Sequence, residues 1–478
     1  MKIAWRNRGR ICEFCLISAV VLAALTYGGT EAPYFSVVQI LILGLGILLF
    51  ARYSTTRPDQ PRLPVAPLFL IALVLLQIEL LPGSVVQLFD RTRDQFSGTS
   101  FAPISLAPYE TISQLFILLT YLAAFYLTLI ICQHRNGSRH LVYALLALGT
   151  FEAFYGLFQY LTGWQQIFTH VKTQEFEAAT GTYINPNHYA GLLEMILPFG
   201  LALAYYRVDE ISRSQPCTRN RVRDFFSSEG AHKLLFWLSS AIILFVALVF
   251  SGSRMGIISA IASTLLIFAL LATCGSRRIS AAVLVILFLA AGVWMVVWIG
   301  PQPVMARFGT LGQEYAATGQ NRWSIWQDTL QLVRQRPWLG TGLGTFLFAY
   351  PSVQNAFPAN LVSHAHNDYL EFASELGLPS ALLLFGSVFY VMLKSVRGFQ
   401  VSEDPFHRAV QLGSFGGLAA ILLHSLADFN LHIPANGLLF AVVLGLAYAS
   451  SPSQLHACPD GPNSVVHAEH EENLDRTN

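Results

Sequence analysis

Residues 234–273 read LLFWLSSAIILFVALVFSGSRMGIISAIASTLLIFALLAT, two nearly unbroken apolar runs joined by Ser251, Gly252, Ser253 and Arg254. Hydrocarbon about 30 Å thick needs roughly 20 apolar residues of helix to cross it. Four polar residues leave no room for a soluble linker, so the stretch reads as two membrane spans set back to back with an arginine held at the turn. Comparable runs recur outward from it in both directions, from Cys12 to the serines before Pro452. Twelve spans are expected, at 12–29, 34–51, 65–82, 110–131, 140–161, 187–206, 233–251, 255–274, 279–299, 370–393, 408–427 and 435–450. A mean hydropathy of +0.49, with 54% hydrophobic and 12% charged residues, excludes a soluble protein. The expected fold is an all-α integral membrane protein with about 12 transmembrane helices and a large outer loop between spans 9 and 10.

Charge placement sets the orientation. With the N-terminus inside, 21 of the 29 lysines and arginines fall on the cytoplasmic side and eight outside. Basic residues resist translocation, which favours both termini in the cytoplasm. Lys2, Arg6, Arg8 and Arg10 precede the first span without a clear cleavage site after it, the pattern of a retained signal anchor. All six cysteines, Cys12, Cys15, Cys132, Cys217, Cys274 and Cys458, lie on or near the cytoplasmic side, and no disulfide framework is implied. Cys12-x-x-Cys15 reads as two small apolar residues entering a span. The net charge of +1 gives no argument for a nucleic-acid partner.

The long outer segment, residues 300–369, opens on Gly300-Pro301-Gln302-Pro303 and contains Trp323, Trp326, Leu330 and Val333 at helical spacing. An amphipathic helix lying at the interface, aromatic side down, is expected there. Gly340-x-Gly342-x-Gly344 supplies tight turns and has neither the spacing of a dinucleotide fingerprint nor the Lys-Ser/Thr of a phosphate loop. The cytoplasmic segment 207–232 is rich in Arg and Ser and suits anionic headgroups. The tail, residues 451–478, is polar and acidic, and disorder is expected.

Four polar clusters fall on the outer side of this topology: Thr182 to His188, Ser251 to Arg254, Ser363 to Leu370, and His424 to His432. Unpartnered polar groups are penalised in hydrocarbon, so their convergence on one face calls for a function. Arg254 in its small polar turn, and Arg322 in the outer loop, suit a bidentate grip on phosphate oxygens. An arginine that merely anchors a span end is the alternative. His366 can accept a proton or position a hydroxyl near neutral pH, or else orient the entry to a helix capped by Asn367 or Asp368. His364 has the same options. Metal binding by His364, His366 and Asp368 has only unspecific spacing in its favour, and neither a metal nor a cofactor is expected. Asn187 and His188 stand where a helix could begin and face an anion, or simply be capped. His424, Asp428 and His432, about one turn apart, suit a hydrogen-bonded network. Glu79, Glu152 and Glu194, in or near spans, are what a transport path would use, but they are scattered and have no matching bases.

At these residues the chain resembles the O-antigen ligase and polysaccharide polymerase superfamily. The resemblance rests on Gly181-Thr-Tyr-Ile-Asn-Pro-Asn-His188, Ser251-Gly-Ser-Arg254, Arg322 with Trp326, Pro337-Trp-Leu-Gly-Thr-Gly-Leu-Gly344, His364-Ala-His-Asn-Asp-Tyr-Leu370, and His424-Ser-Leu-Ala-Asp-Phe-Asn-Leu-His-Ile-Pro434. The ligase branch is described by His-Asn, nine residues, Gly, two residues, then Gly, Thr or Tyr. His366-Asn367 and Gly377 match, whereas Ser380 departs and leaves ligase and polymerase both open.

The resemblance implies residues 1–179 as N-terminal transmembrane helices, 180–435 as the catalytic region, and 436–450 as the last span, in an architecture resembling the GT-C membrane glycosyltransferases. It implies His366 as catalytic or acceptor-positioning residue, with Arg254 and Arg322 on the diphosphate of a polyprenyl-linked glycan. Asn187, His188, His364, Asn367, Asp368, His424 and Asp428 are the expected substrate-binding residues. The expected donor is an undecaprenyl-diphosphate-linked glycan and the acceptor a hydroxyl of a glycan, lipid A-core or protein, at the periplasmic face of a bacterial inner membrane. The other class in view is a transporter of a small anion such as bicarbonate, although transporters usually bind charge near the midplane.

Overall fold

The computed structural model describes residues 2–53, 65–89, 101–134, 136–214, 229–272, 278–300, 322–355 and 361–449. Helices in chain order are α1 (Lys2–Leu25), α2 (Ala32–Tyr53), α3 (Val65–Ile78), α4 (Gly83–Phe89), α5 (Pro108–Cys132), α6 (Gly137–Thr162), α7 (Pro186–Ser214) and α8 (Glu229–Phe250). They continue with α9 (Arg254–Ala272), α10 (Arg278–Ile299), α11 (Arg322–Gln335), α12 (Phe346–Ala349), α13 (Asp368–Leu376), α14 (Leu378–Val401), α15 (Pro405–His424) and α16 (Pro434–Ala449). Two antiparallel pairs of two-residue strands, Leu81–Pro82 with Phe101–Ala102 and Gln166–Ile167 with His170–Val171, are the strands among the described residues. The protein is thus a mostly helical, multi-pass membrane protein. Nine helices among the described residues are long and apolar enough to cross a membrane: α2, α5 to α10, α14 and α15. The apolar α3 and α16, 14 and 16 residues long, and α1 occupy the remaining expected positions.

Burial sorts these helices into a centre and a rim. The spanning window of α7 is 94% buried, against 17% for Ala282–Ile299 of α10. A helix that is apolar all round sits at the core when other helices cover it, and facing lipid when they do not. α7 packs chiefly on α15 and α8. Close approach to α15 depends on small residues: a Cβ on Gly417 would lie 2.5 Å from the Met195 carbonyl oxygen. In lipid, where apolar burial drives little association, such backbone proximity is the main source of packing energy.

One expectation is corrected. The span placed at 370–393 is two helices, α13 and α14, broken at Gly377. Gly377 has φ +79°, and a Cβ there would meet the Trp338 carbonyl at 2.2 Å. Pro379 sits in the first turn of α14, where its ring would clash with the residue 375 carbonyl if the helix ran through. The loop around Gly340, Gly342 and Gly344, all at positive φ, lies across this break, with Thr341 N and Gly342 N donating to the carbonyls of Ser374 and Glu375. The helix expected around Trp323 and Trp326 is α11. Its buried face is Ile325, Asp328, Thr329, Leu332 and Val333, while Trp323 and Leu330 of the aromatic stripe stay 58% and 39% exposed. On the buried face Asp328 accepts from Tyr350 Oη and from both amide groups of Asn355. The expected tail disorder, residues 451–478, and much of the expected loop at 300–321 lie outside the described residues.

Candidate active site

One end of the bundle gathers the starts of α7, α9, α13 and α16 and the ends of α8 and α15. Asn185 caps α7, its Oδ1 accepting from Asn187 N at 2.8 Å, with Pro186 as first helical residue. Ser253 does the same for α9, its Oγ accepting from Gly256 N, so Arg254 is the first residue of α9. A Cβ at Gly256 would touch the methyl of Ala190, which sets the start of α9 against the first turn of α7. Ala179 N donates to Phe250 O, and Asp368 N to the carbonyls of Ser425 and Asp428. All four polar clusters therefore meet at one end.

Asn367 caps α13: its Oδ1 accepts from Leu370 N at 3.1 Å, and its Nδ2 donates to Leu426 O at 2.9 Å. The preceding residue, His366, holds φ +49°, a left-handed conformation that costs a non-glycine residue energy and persists where surroundings enforce it. Trp326 Nε1 helps enforce it by donating to Ala365 O at 3.1 Å.

Phe429 is the hub of the histidines. The His364 ring stacks on it at 4.0 Å, His366 meets its edge at 5.0 Å, and His188 meets it edge-on at 4.8 Å. Around this ring lie two networks. In the first, Asp368 is fully buried and accepts from His432 Nδ1 at 2.7 Å, Ser425 Oγ at 2.6 Å and Leu431 N at 3.2 Å. Glu371, one turn on, takes His364 Nδ1 at 2.7 Å and Ala365 N at 2.8 Å. Burial would push the His432 imidazole down, but Glu371, Asp368 and Glu375 around it push it up to about 10. Burial likewise raises Glu375, to about 7.

The second network is open. Asp428 is 2% exposed, and its Oδ1 accepts from Phe429 N at 2.9 Å. Arg322 donates to Ala427 O, and its Nη2 lies 3.7 Å from Asp428 Oδ2. His366 Nδ1 lies 3.8 Å from Asp428 Oδ1 and is buried with no hydrogen-bond partner, while its ring stays 26% exposed. Burial alone would raise the Asp428 carboxyl, yet the neighbouring His366 and the Arg322 guanidinium hold it well below the ordinary carboxylate range. It is an anion at neutral pH.

Of the expected site residues, the structure brings together His366, Arg322, Asp428, His364, Asn367, Asp368, His188 and His424. Asn367 and Asp368 have their polar atoms engaged within the protein, so they shape the site from behind. His424 is wholly buried and pairs with Glu194 at 3.0 Å. His424, Asp428 and His432 do not share one helix: they occupy the end of α15, the following turn and the 3-10 turn Asn430–His432. Asn187 lies in the first turn of α7, and Arg254 beside that turn. Sequence reading missed Glu371, Glu375 and Phe429 and discounted Glu194. Glu371 carried a signal, standing three residues after Asp368 on one helix face; Glu194 carried another, as a carboxylate within a span. Glu152, also discounted, is structural: it holds Thr182 by its amide and hydroxyl.

Residues 239–385 match the family model described as O-antigen ligase. This region is similar to the O-antigen ligase family. The match supports the resemblance to the O-antigen ligase and polymerase superfamily. No curated protein matches the chain. The O-antigen ligase match covers Arg254, Arg322, His364, His366, Asp368 and Glu371, and leaves His188, Glu194, Asp428 and His432 to either side. It supports a glycan ligase or polymerase role, acting on a polysaccharide or lipid-linked glycan, and gives the anion-transporter reading no support.

Proposed function

We propose that the chain transfers or polymerises glycan from an undecaprenyl-diphosphate-linked donor onto a hydroxyl acceptor at the outer face of a bacterial inner membrane. The observation that carries this reading is His366, with one buried, unpartnered ring nitrogen turned to the Asp428 anion and Arg322 beside it. Asp428 orients the ring and stabilises the imidazolium, which leaves Nε2 for the acceptor. The acceptor oxygen attacks the anomeric carbon as its proton passes to His366, and the bond from that carbon to the phosphate oxygen breaks. The electron pair leaves with the lipid diphosphate. A single displacement inverts the anomeric centre and needs no metal. Arg322, 39% exposed, and Arg254 supply positive charge where the leaving group gathers negative charge, the largest electrostatic contribution available to such a site. General-base help of this kind is commonly worth about 10²- to 10⁴-fold.

The test is the purified protein in vesicles with a lipid-linked oligosaccharide and candidate acceptors. Transfer to a glycan or lipid hydroxyl, with lipid diphosphate released, is expected; anion flux without transfer contradicts the reading. A cysteine placed at Ser363 should react with an impermeant reagent from the periplasmic side only, and labelling from the cytoplasm would overturn the orientation.

A further inference from the structure

Glu194 stands on α7, the most deeply buried span, and faces His424 at the end of α15. Both side chains are 0% exposed, with His424 Nδ1 3.0 Å from Glu194 Oε1. Glu194 Oε2 and His424 Nε2 are buried without partners. A carboxyl and an imidazole sequestered in this way cost more desolvation than an apolar pair of the same volume. The close packing of α7 on α15 comes from glycines such as Gly417, so the pair is not needed to hold the helices together.

What the pair does hold is a turn. The His424 carbonyl accepts from Ala427 N at 3.0 Å. From this turn the Ala427 carbonyl takes Arg322, Asp428 faces His366, and Phe429 seats three histidine rings. Asp428 and Arg322 also lie close enough to act electrostatically on His424. The pair therefore sits at the base of a turn that touches every group in the open network.

We propose that Glu194 is a positioning residue of the transfer site, acting through His424 to hold residues 424–429 in register with His366 and Arg322. The kinetic part of this proposal rests on the glycan-transfer reading; the structural part stands on the fold alone.

The test compares wild type, Glu194→Ala and Glu194→Gln in lipid nanodiscs. Hydrogen exchange of the peptide covering residues 424–432 should quicken by about 10-fold in Glu194→Ala, as expected when a local anchor is lost. It should return to the wild-type rate in Glu194→Gln, which keeps an atom that can bond His424. In the transfer assay, Glu194→Ala should lower kcat by about 10- to 100-fold with donor KM near wild type, the signature of a small misplacement. Glu194→Gln should restore most of that loss. If Glu194→Ala does not fold, Glu194→Met, which fills the volume without an acceptor, is read in its place. Unchanged exchange overturns the proposal, as does a kcat that falls equally in the Gln variant. A wild-type protein that transfers nothing, yet shows the exchange pattern, overturns the glycan-transfer reading and leaves the structural part standing.

Discussion

The two networks flanking Phe429 use the same materials, histidine and carboxylate, to opposite ends. Around Asp368 and Glu371, each of the four carboxylate oxygens has a hydrogen-bond donor. Around Asp428, the imidazole of His366 stops at 3.8 Å and the guanidinium of Arg322 at 3.7 Å, both beyond hydrogen-bond distance. The closed network has spent these carboxylates on fixing the backbone, with His432 Nε2 and Glu375 Oε2 buried without partners. An open one still has capacity to give a substrate or a proton. The closed network sits directly behind the open one, since the amide of Asp368 bonds the Asp428 carbonyl, so rigidity on one side supports reactivity on the other.

The contrast is broken most severely from the closed side. Asp368→Ala removes a buried acceptor from His432, Ser425 and Leu431, and loss of one partner from such a network typically costs about 3–5 kcal/mol. Thermal unfolding in nanodiscs should show a large drop, with activity per folded molecule falling far less than in His366→Ala. From the open side, His366→Ala should leave the unfolding temperature nearly unchanged and lower transfer by about 100-fold or more. Arg322→Lys keeps the charge but loses the planar fork, and transfer should fall by about 10-fold with donor KM raised. The remaining effect is a pH slope. His432 binds its proton more tightly in the folded state, at about 10 against an ordinary 6.5. Its contribution to stability is complete below pH 6.5 and is lost as pH rises through about 10. The unfolding temperature should decline across that window, and less so in His432→Gln.

Much of this was legible in the sequence where local chemistry decides. Apolar runs of span length announce the helices, and the charge-poor turn at Ser251 to Arg254 announces their joint. The histidine segment stood out because polar groups beside a span are penalised in lipid unless they find partners. The break at Gly377 was also written there, in Gly-Leu-Pro, but apolar continuity masked it. What was not legible depends on distant partners. Glu194 acquires meaning only from His424, 230 residues away, and Phe429 reads as one of 34 phenylalanines until three histidine rings are seen against it. The burial of Asp328 in α11 was hidden for a like reason: its partners, Tyr350 and Asn355, stand more than twenty residues away.

The central claim is that the open network reacts and the closed one supports. Initial transfer rate and unfolding temperature, measured on the same nanodisc preparations of wild type, His366→Ala and Asp368→Ala with a lipid-linked oligosaccharide donor, test it directly. The account predicts a His366→Ala protein that is as stable as wild type and nearly inactive, beside an Asp368→Ala protein that is much less stable and, per folded molecule, far more active than His366→Ala. Full transfer by His366→Ala would contradict it.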